Sequence, residues 1–220
     1  MLTKNFQRVE LAHTPTPLEF LDNLSAELNG PRIWVKRDDC TGLAMGGNKA
    51  RQLEFYLGDA VAKGADTILT TGAVQSNHLR MTIAAARKLG LEVEVQLEER
   101  VPDRKPEYYD SGNPFLMRLM GAEISHYPVG EDEEGADDAL HRRADEIRKA
   151  GGNPYVIPLS KNHRPFGSLG YVKCAEELLL QFQQESLQID GIVLATGSAA
   201  TQAGLLTGLR AMGSDIPVYG

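Results

Sequence analysis

A lysine at a helix start is the first residue in the chain that could do chemistry. Lys49 follows two glycines and an asparagine in GGNKARQLEF (46–55), and apolar residues at helical spacing begin directly after it. The first turn of a helix disfavours an ammonium group, because it carries partial positive charge and N–H groups without partners. Desolvation and this position both lower a lysine pKa, and a neutral amine is what Schiff-base formation requires. Spacing alone favours an ordinary surface lysine, and the reactive amine is the functional alternative.

The lysine segment is not a nucleotide-binding P-loop. Gly42 and Gly47 have the separation of the P-loop glycines, but Asn48 stands before the lysine and Ala50 replaces the hydroxyl residue. No residue is left to hold magnesium, so this interpretation is excluded.

A second candidate loop is GAVQSNH (72–78), which precedes another predicted helix. It places Gln75, Ser76, Asn77 and His78 in a row at the helix start. Free N–H groups there can receive a carboxylate or a phosphate. Simple capping of the helix by Ser76 or Asn77 is the alternative, and the pattern alone does not choose between them.

A third candidate loop, TGSAAT (196–201), lies between a predicted strand and a predicted helix. Its small residues would let backbone amides approach a phosphate, and Ser198 and Thr201 add hydroxyl donors. Many strand-to-helix loops share this composition. No G-x-G-x-x-G is present there, so the dinucleotide-binding fingerprint is absent.

The elements that must position these loops alternate along the chain. Hydrophobic periodicity predicts a helix from Lys49 and further helices over 79–90, 114–121, 130–152, 168–184 and 201–213. Strands are predicted over 32–39, 66–71, 91–98, 122–127, 154–159, 190–196 and 216–220. Such alternation indicates an α/β fold with mostly parallel sheet, in which ligands bind at the loops that enter helices.

Composition excludes several classes of protein. The net charge is −7, whereas a nucleic-acid surface needs a basic face. No apolar run reaches the ~20 residues of a membrane span, and the N-terminus lacks a signal-peptide core, which predicts a cytoplasmic protein. Cys40 and Cys174 belong to no metal or redox motif, which favours idle thiols. The carboxylates of 130–152 favour a solvated helix start over a metal site, so no metal is expected.

Taken together and in order, three segments are far more specific than any one of them. GGNKARQLEF, GADTILTTGAVQSNHLR and ATGSAATQAGL resemble the fold-type-II pyridoxal-phosphate enzymes of the D-cysteine desulfhydrase and 1-aminocyclopropane-1-carboxylate deaminase family. The resemblance runs from TPTPLEFL (14–21) to Gly220. Within that family, IWVKRDDCTGL and TQAGLLTGL look especially like L-cysteate sulfo-lyases.

The resemblance implies a role for each matching position. Pyridoxal 5′-phosphate is the implied cofactor, with Lys49 holding it as a Schiff base and then acting as base at the substrate α-carbon. Asn77 would hydrogen-bond the pyridoxal oxygen, and Ser76 with the amides of Asn77 and His78 would hold the substrate carboxylate. The phosphate would be bound by Gly197, Ser198, Ala199, Ala200 and Thr201, and Asn48 is also assigned to the cofactor site.

The family also implies a reaction and an architecture. The reaction is β-elimination of sulfide or sulfite from D-cysteine or L-cysteate, giving pyruvate and ammonia; a deaminase is the alternative. The implied fold is tryptophan synthase beta-like, with two three-layer domains. A cofactor domain comprises 1–52 and 158–220, a small domain comprises 53–157, and the assembly is a homodimer.

The sequence departs from the family pattern in three places. The chain ends at Gly220, where family members continue, so the larger domain is expected to be incomplete; an impaired relative that only binds small anions or a partner is therefore a further alternative. The turn after Ile157 and Pro158 places Lys161 where it could meet an anionic substrate tail or face solvent. Ala200 replaces a glycine, and an alanine is strained there if the position needs φ above zero.

Overall fold

Helices and strands alternate along the chain in the computed structural model, which describes residues 2–160 and 163–220. The helices are α1 (Asp22–Leu28), α2 (Lys49–Ala62), α3 (Asn77–Lys88), α4 (Glu107–Asp110), α5 (Asn113–Leu119), α6 (Glu133–Lys149), α7 (Phe166–Gln184) and α8 (Ala200–Ala211). The strands are β1 (Leu18–Phe20), β2 (Trp34–Lys36), β3 (Thr67–Ala73), β4 (Glu92–Glu98), β5 (Glu123–Tyr127), β6 (Pro154–Ile157), β7 (Ile192–Val193) and β8 (Val218–Tyr219).

The largest sheet has four parallel strands in the order β5-β4-β3-β6. Thr67 of β3 is in register with Glu92 on one side and with Pro154 on the other. Parallel strands need crossover connections, and the helices between these strands provide them. The predicted α/β class with mostly parallel sheet is confirmed.

Side chains along β4 point alternately to the two faces of this sheet. Gln96 donates to the Ala136 carbonyl at 3.1 Å, and Glu94 pairs with Arg143 at 2.8 Å, so this set of alternate residues faces α6. The intervening Val93, Val95 and Leu97 lie on the other face, within the main hydrophobic cluster that also contains Leu79 and Ile83 of α3. This packing fixes the start of α3 relative to the sheet.

A second hydrophobic cluster lies where α7 packs against α8. It contains Tyr171, Leu178 and Phe182 from α7 and Leu205 and Leu209 from α8. Gly204 allows the close approach, because a Cβ atom there would lie 2.2 Å from the Ser168 carbonyl oxygen. Strands β7 and β8 pair in parallel beside this cluster. Within the described residues, no helix combines the length and apolar character needed to cross a bilayer.

Buried charges attach α2 to its surroundings. Arg51 is 2% exposed and pairs with Asp38 at 2.8 Å and with Glu177 of α7 at 2.9 Å. Lys36 pairs with the same Glu177. Burial opposes ionisation of Glu177, but hydrogen bonds from Arg51 and then Lys36 outweigh it and lower the pKa of that carboxyl to about 2.

Several predicted strands are shorter than expected. The strand expected over 32–39 ends at Lys36, because the chain turns into a 3-10 helix at Asp38–Thr41. The strand expected over 190–196 is reduced to Ile192–Val193, whose partner β8 is also only two residues long. β1, α1 and α4 were not predicted.

Candidate active site

Two glycines set the approach of the chain to Lys49. Gly46 and Gly47 have φ angles of +74° and +129°, where side chains are strained. A Cβ atom at Gly46 would lie 1.8 Å from the carbonyl oxygen of Asp39, so only glycine fits. The Thr41 hydroxyl pins the loop by donating to the Gly47 carbonyl at 2.9 Å and accepting from the Gly47 N–H at 2.8 Å. Lys49 follows as the first residue of α2, as predicted.

The Lys49 amine lies in an environment that favours its neutral form. The side chain is half-buried, and burial lowers the pKa of its ammonium group. Its Nζ donates to Oε1 of Gln52, one turn along α2, at 3.3 Å. In the part of the chain that the structure describes, no carboxylate forms an ion pair with it. This is the chemistry that a nucleophilic lysine needs.

The third candidate loop lies at the N-terminus of a helix. Gly197, Ser198 and Ala199 are exposed and precede α8, while Ala200 and Thr201 form its first turn. The N–H groups of a first turn have no partners within the helix, so they are available to an anion. Ala200 is helical, so the condition for strain at that position, a φ angle above zero, is not met. The left-handed residue is Ala199, with φ +60°, because the chain reverses one residue earlier to start the helix.

A polar link joins this loop to the lysine loop. Asn48 Nδ2 donates to Thr201 Oγ1 at 3.0 Å, and Gln52 Nε2 donates to the same oxygen at 3.1 Å. A cavity of about 110 Å³ lies at this junction, lined by Asn48, Lys49 and residues 195–202. Gln52 was not predicted as a site residue from the sequence. The signal that could have found it is its i+3 spacing from Lys49, which places both side chains on one helix face.

Ser76 has the capping role that was the alternative to substrate binding. It is the N-cap of α3, and its Oγ accepts from the Leu79 N–H at 3.3 Å. Capping uses only the acceptor side of the hydroxyl, so its proton is free to be donated. The N–H groups of Asn77 and His78 open the same first turn of α3 and are free of intrahelical partners. Capping and anion binding are therefore compatible at this site.

His78 lies close to the lysine but turns its ring towards the sheet. Its Nε2 lies 3.1 Å from Oγ1 of Thr70 on β3. Burial and the neighbouring Lys49 charge lower the pKa of His78 to about 3, so the imidazole is neutral at physiological pH. The ring therefore adds no positive charge around the amine.

The residues present fit the cofactor that the resemblance implies. An amine with a lowered pKa, a helix start with free N–H groups and a polar cavity between them match an aldehyde at one end and a phosphate at the other. Asn77 carries an exposed carboxamide at the start of α3. Lys161, for which contact with a substrate tail and exposure to solvent were both left open, lies outside the described residues.

Sequence comparisons match this chain to pyridoxal-phosphate-dependent enzymes. The model of the family described as pyridoxal-phosphate dependent enzyme matches residues 9–220. A D-cysteine desulfhydrase from Klebsiella pneumoniae is 44% identical over 205 residues, which are 93% of this chain and 61% of that protein. A 1-aminocyclopropane-1-carboxylate deaminase from a Methylobacterium species is 41% identical over 217 residues, which are 98% of this chain and 64% of that protein.

Solved structures agree with the sequence relatives. The crystal structure of an ACC deaminase homologue superposes with a TM-score of 0.86 at 41% identity, covering 98% of this chain and 62% of that one. The chain thus spans less than two thirds of the length of these relatives. The family match over residues 9–220 and the superposition lead to one conclusion: the chain belongs to the pyridoxal-phosphate-dependent enzyme family.

Proposed function

We propose that this chain forms part of a pyridoxal-phosphate-dependent lyase that eliminates sulfide or sulfite from a small amino acid. D-cysteine and L-cysteate are the proposed substrates, and pyruvate and ammonia are the further products. The observation that carries the proposal is the half-buried Lys49 amine next to the start of α8, with Asn48 hydrogen-bonded across the gap to Thr201. The relatives named D-cysteine desulfhydrase support the carbon–sulfur lyase.

In this proposal Lys49 has two tasks. Its amine attaches the cofactor covalently and later accepts the proton from the substrate α-carbon. Both tasks require a neutral amine, and burial favours the neutral form by lowering the Lys49 pKa. The neighbouring His78 is itself neutral, so it adds no charge next to the amine. Bound pyridoxal phosphate would supply an electron sink for the pair left when the Cα–H bond breaks.

The start of α3 is proposed to hold the substrate carboxylate. Ser76 can donate its hydroxyl proton while its oxygen caps the helix, and the N–H groups of Asn77 and His78 point out of the first turn. The Asn77 carboxamide is assigned to the cofactor ring oxygen. These contacts orient the α-carbon, but they do not distinguish between substrates with different side chains.

The start of α8 is proposed to hold the cofactor phosphate. Backbone amides of residues 197–201 and the hydroxyls of Ser198 and Thr201 are the donors, and Asn48 orients Thr201 from the lysine loop. The phosphate and the attachment point are thereby fixed relative to each other before substrate binds.

Water balances the proposed reaction. D-cysteine and one water yield pyruvate, ammonia and hydrogen sulfide; L-cysteate yields sulfite in place of sulfide. The α-proton moves to Lys49 and the sulfur group leaves from the β-carbon with its bonding electrons. Deamination of 1-aminocyclopropane-1-carboxylate is the second candidate, favoured by the 41% identical relative of that name. Lys161 is proposed to favour the anionic cysteate if its side chain reaches the substrate.

Domain organisation and assembly are proposed from the same family. The four-stranded sheet and its hydrophobic cluster lie mostly within residues 53–157, and the α7–α8 cluster lies within 158–220, which supports a small domain and a cofactor domain. A homodimer in the cytoplasm is proposed in addition, and the two free cysteines suit a reducing compartment.

The test is product analysis with three substrates. The chain is loaded with pyridoxal phosphate and offered D-cysteine, L-cysteate and 1-aminocyclopropane-1-carboxylate. Pyruvate from either sulfur compound supports the lyase, whereas dominant 2-oxobutyrate from the cyclopropane amino acid establishes the deaminase. Cofactor binding without any product would establish the impaired relative.

A further inference from the structure

A buried arginine without an acidic partner lies at the start of α3. Arg80 is 7% exposed, and none of the carboxylates in residues 2–160 and 163–220 forms an ion pair with it. Its Nε is buried and has no hydrogen-bond partner in the same residues. Arg51, the other buried arginine of the described residues, is different, since it has two carboxylate partners.

Two asparagines take the place of the missing acid. Nη1 of Arg80 donates to Oδ1 of Asn77 at 2.7 Å and to Oδ1 of Asn113 at 2.6 Å. A buried charge satisfied only by neutral oxygens is expensive, because dipoles replace less of its hydration than a carboxylate does. Burial accordingly lowers the pKa of Arg80. A fold under selection for stability alone would gain from an aspartate at position 77 or 113.

The same contacts determine which end of the Asn77 carboxamide is free. Oδ1 of Asn77 accepts from Arg80 and also from Nδ2 of Asn113 at 3.0 Å, so both of its lone pairs are used. Nδ2 of Asn77 has no partner among the described residues, and the side chain is exposed. Asn77 can therefore act towards a ligand only as a donor.

Arg80 also contacts the loop that carries the lysine. Its Nη2 lies 3.4 Å from the carbonyl oxygen of Gly46, three residues before Lys49. Met81, the next residue of α3, packs against Gly47. The guanidinium thus lies between the Lys49 loop and Asn77.

We propose that Arg80 is a positioning residue, which holds the Asn77 carboxamide with its NH₂ group towards a bound ligand. The guanidinium charge of Arg80 has no carboxylate partner among the described residues, and it therefore favours an anionic ligand oxygen at that NH₂ group. This rests on the proposed function, in which that oxygen belongs to the cofactor ring. An aspartate at position 77 would satisfy Arg80 better but would remove the donor. The asparagine therefore exchanges stability for ligand binding.

The first experiment measures stability in the cofactor-free chain. Asn77→Asp keeps both acceptor contacts and gives Arg80 a carboxylate, so it should raise Tm by about 2–4 °C. The gain should be smaller in an Arg80→Met background, where only the contribution of the helix N-terminus remains, and the double-mutant cycle measures the difference. An equal change of Tm in both backgrounds would show that Arg80 does not lack a partner and would overturn the proposal.

The second experiment measures cofactor affinity. Arg80→Met should weaken binding of pyridoxal phosphate about tenfold, the size of one polar interaction. It should weaken binding of 3-O-methylpyridoxal phosphate less, because that analogue cannot present an anionic ring oxygen and can gain only from the orientation of Asn77. Arg87→Met is the matched control, since Arg87 lies on the same helix and pairs with Glu92 at the surface.

The outcomes separate the two proposals. Equal weakening of both ligands by Arg80→Met would mean a merely structural role and would refute the positioning. If the unaltered chain binds neither ligand, the proposed function fails at that point. The stability cycle does not use the cofactor, so it still decides whether Arg80 lacks a partner.

Discussion

The Thr201 hydroxyl accepts a hydrogen bond from Asn48, a residue 153 positions earlier in the chain. Gln52 donates to the same oxygen, so both acceptor positions of the hydroxyl are occupied. The remaining capacity of Thr201 is its own O–H donor. The lysine helix thereby sets a threonine at the start of α8 to donate to an anion.

Loss of this donor should weaken binding of the phosphate more than binding of the rest of the cofactor. Thr201→Val keeps the side-chain shape and should reduce the affinity for pyridoxal phosphate about tenfold or more, because a hydrogen bond to a charged group contributes roughly 1.5–3 kcal/mol. Affinity for pyridoxal, which has no phosphate, should change less, since only the contacts of Asn48 and Gln52 with the hydroxyl are lost in that case. Equilibrium titration followed by absorbance measures both constants. Thr207→Val is the control, an exposed threonine on the same helix.

Lys49 should be the site of covalent attachment. After borohydride reduction of the loaded chain, peptide mapping should find the pyridoxyl group on Lys49, and Lys49→Ala should reduce the label to background. Because burial lowers the Lys49 pKa, incorporation should continue to lower pH than labelling of surface lysines in the same digest. Lys63→Ala is the control, since Lys63 is exposed and pairs with Asp59. Label on another lysine would contradict the assignment.

His78 should make the protein sensitive to mild acid. The pKa of His78 is about 3 in the folded chain and 6.5 ordinarily, so between these values the unfolded state binds a proton that the folded state does not. The free energy of unfolding therefore falls as pH is lowered from 6.5. His78→Gln should flatten this decrease in denaturant titrations between pH 6.5 and 5.5, above the range between the unfolded pKa of 4.5 and the folded pKa of about 2 in which Glu177 contributes. The same substitution at the exposed His126 tests whether loss of any histidine has this effect.

Two neighbouring alanines should respond to glycine in opposite directions. Ala199 has φ +60°, where a Cβ atom costs roughly 1 kcal/mol, so Ala199→Gly should raise the free energy of unfolding by about 0.5–1 kcal/mol. Ala200 is helical, and Ala200→Gly should lower it by up to about 1 kcal/mol. Thermal unfolding of each variant shows whether the substitution raises or lowers the stability. Stabilisation by Ala200→Gly alone would contradict this assignment and place the strain at Ala200 instead of Ala199.

Most of the helices and the loops before Lys49, Asn77 and Ala200 could be predicted because their signals are local, whereas α1 and α4 were not predicted. Lys49 begins a helix, as GGN and the apolar spacing indicate, and Ser76 caps one. The element pattern also gave the parallel sheet. Strand β1 and its pairing with the predicted β2 could not be found in this way, because they depend on antiparallel pairing of Leu18–Phe20 with Trp34–Lys36 rather than on either segment alone.

The contacts that complete the site depend on distances through space. Gln52 and Arg80 are unremarkable polar residues within amphipathic helices, and only the fold brings Gln52 to Thr201 or Arg80 to Asn113. Individual backbone φ angles could not be predicted from the sequence either. The position of the left-handed residue at Ala199 depends on where α8 starts, to within one residue.

The Arg51 cluster has a consequence for the order of folding. Arg51 is linked to Glu177, 126 residues later, and contacts of such separation form only after a large loss of chain entropy. During synthesis, α2 therefore emerges long before its partner in α7 exists. Until residue 177 leaves the ribosome, the lysine helix lacks this anchor and the charge of Arg51 must remain hydrated. A nascent chain that stops before α7 should bind no cofactor, which restricts loading to chains that have passed this point.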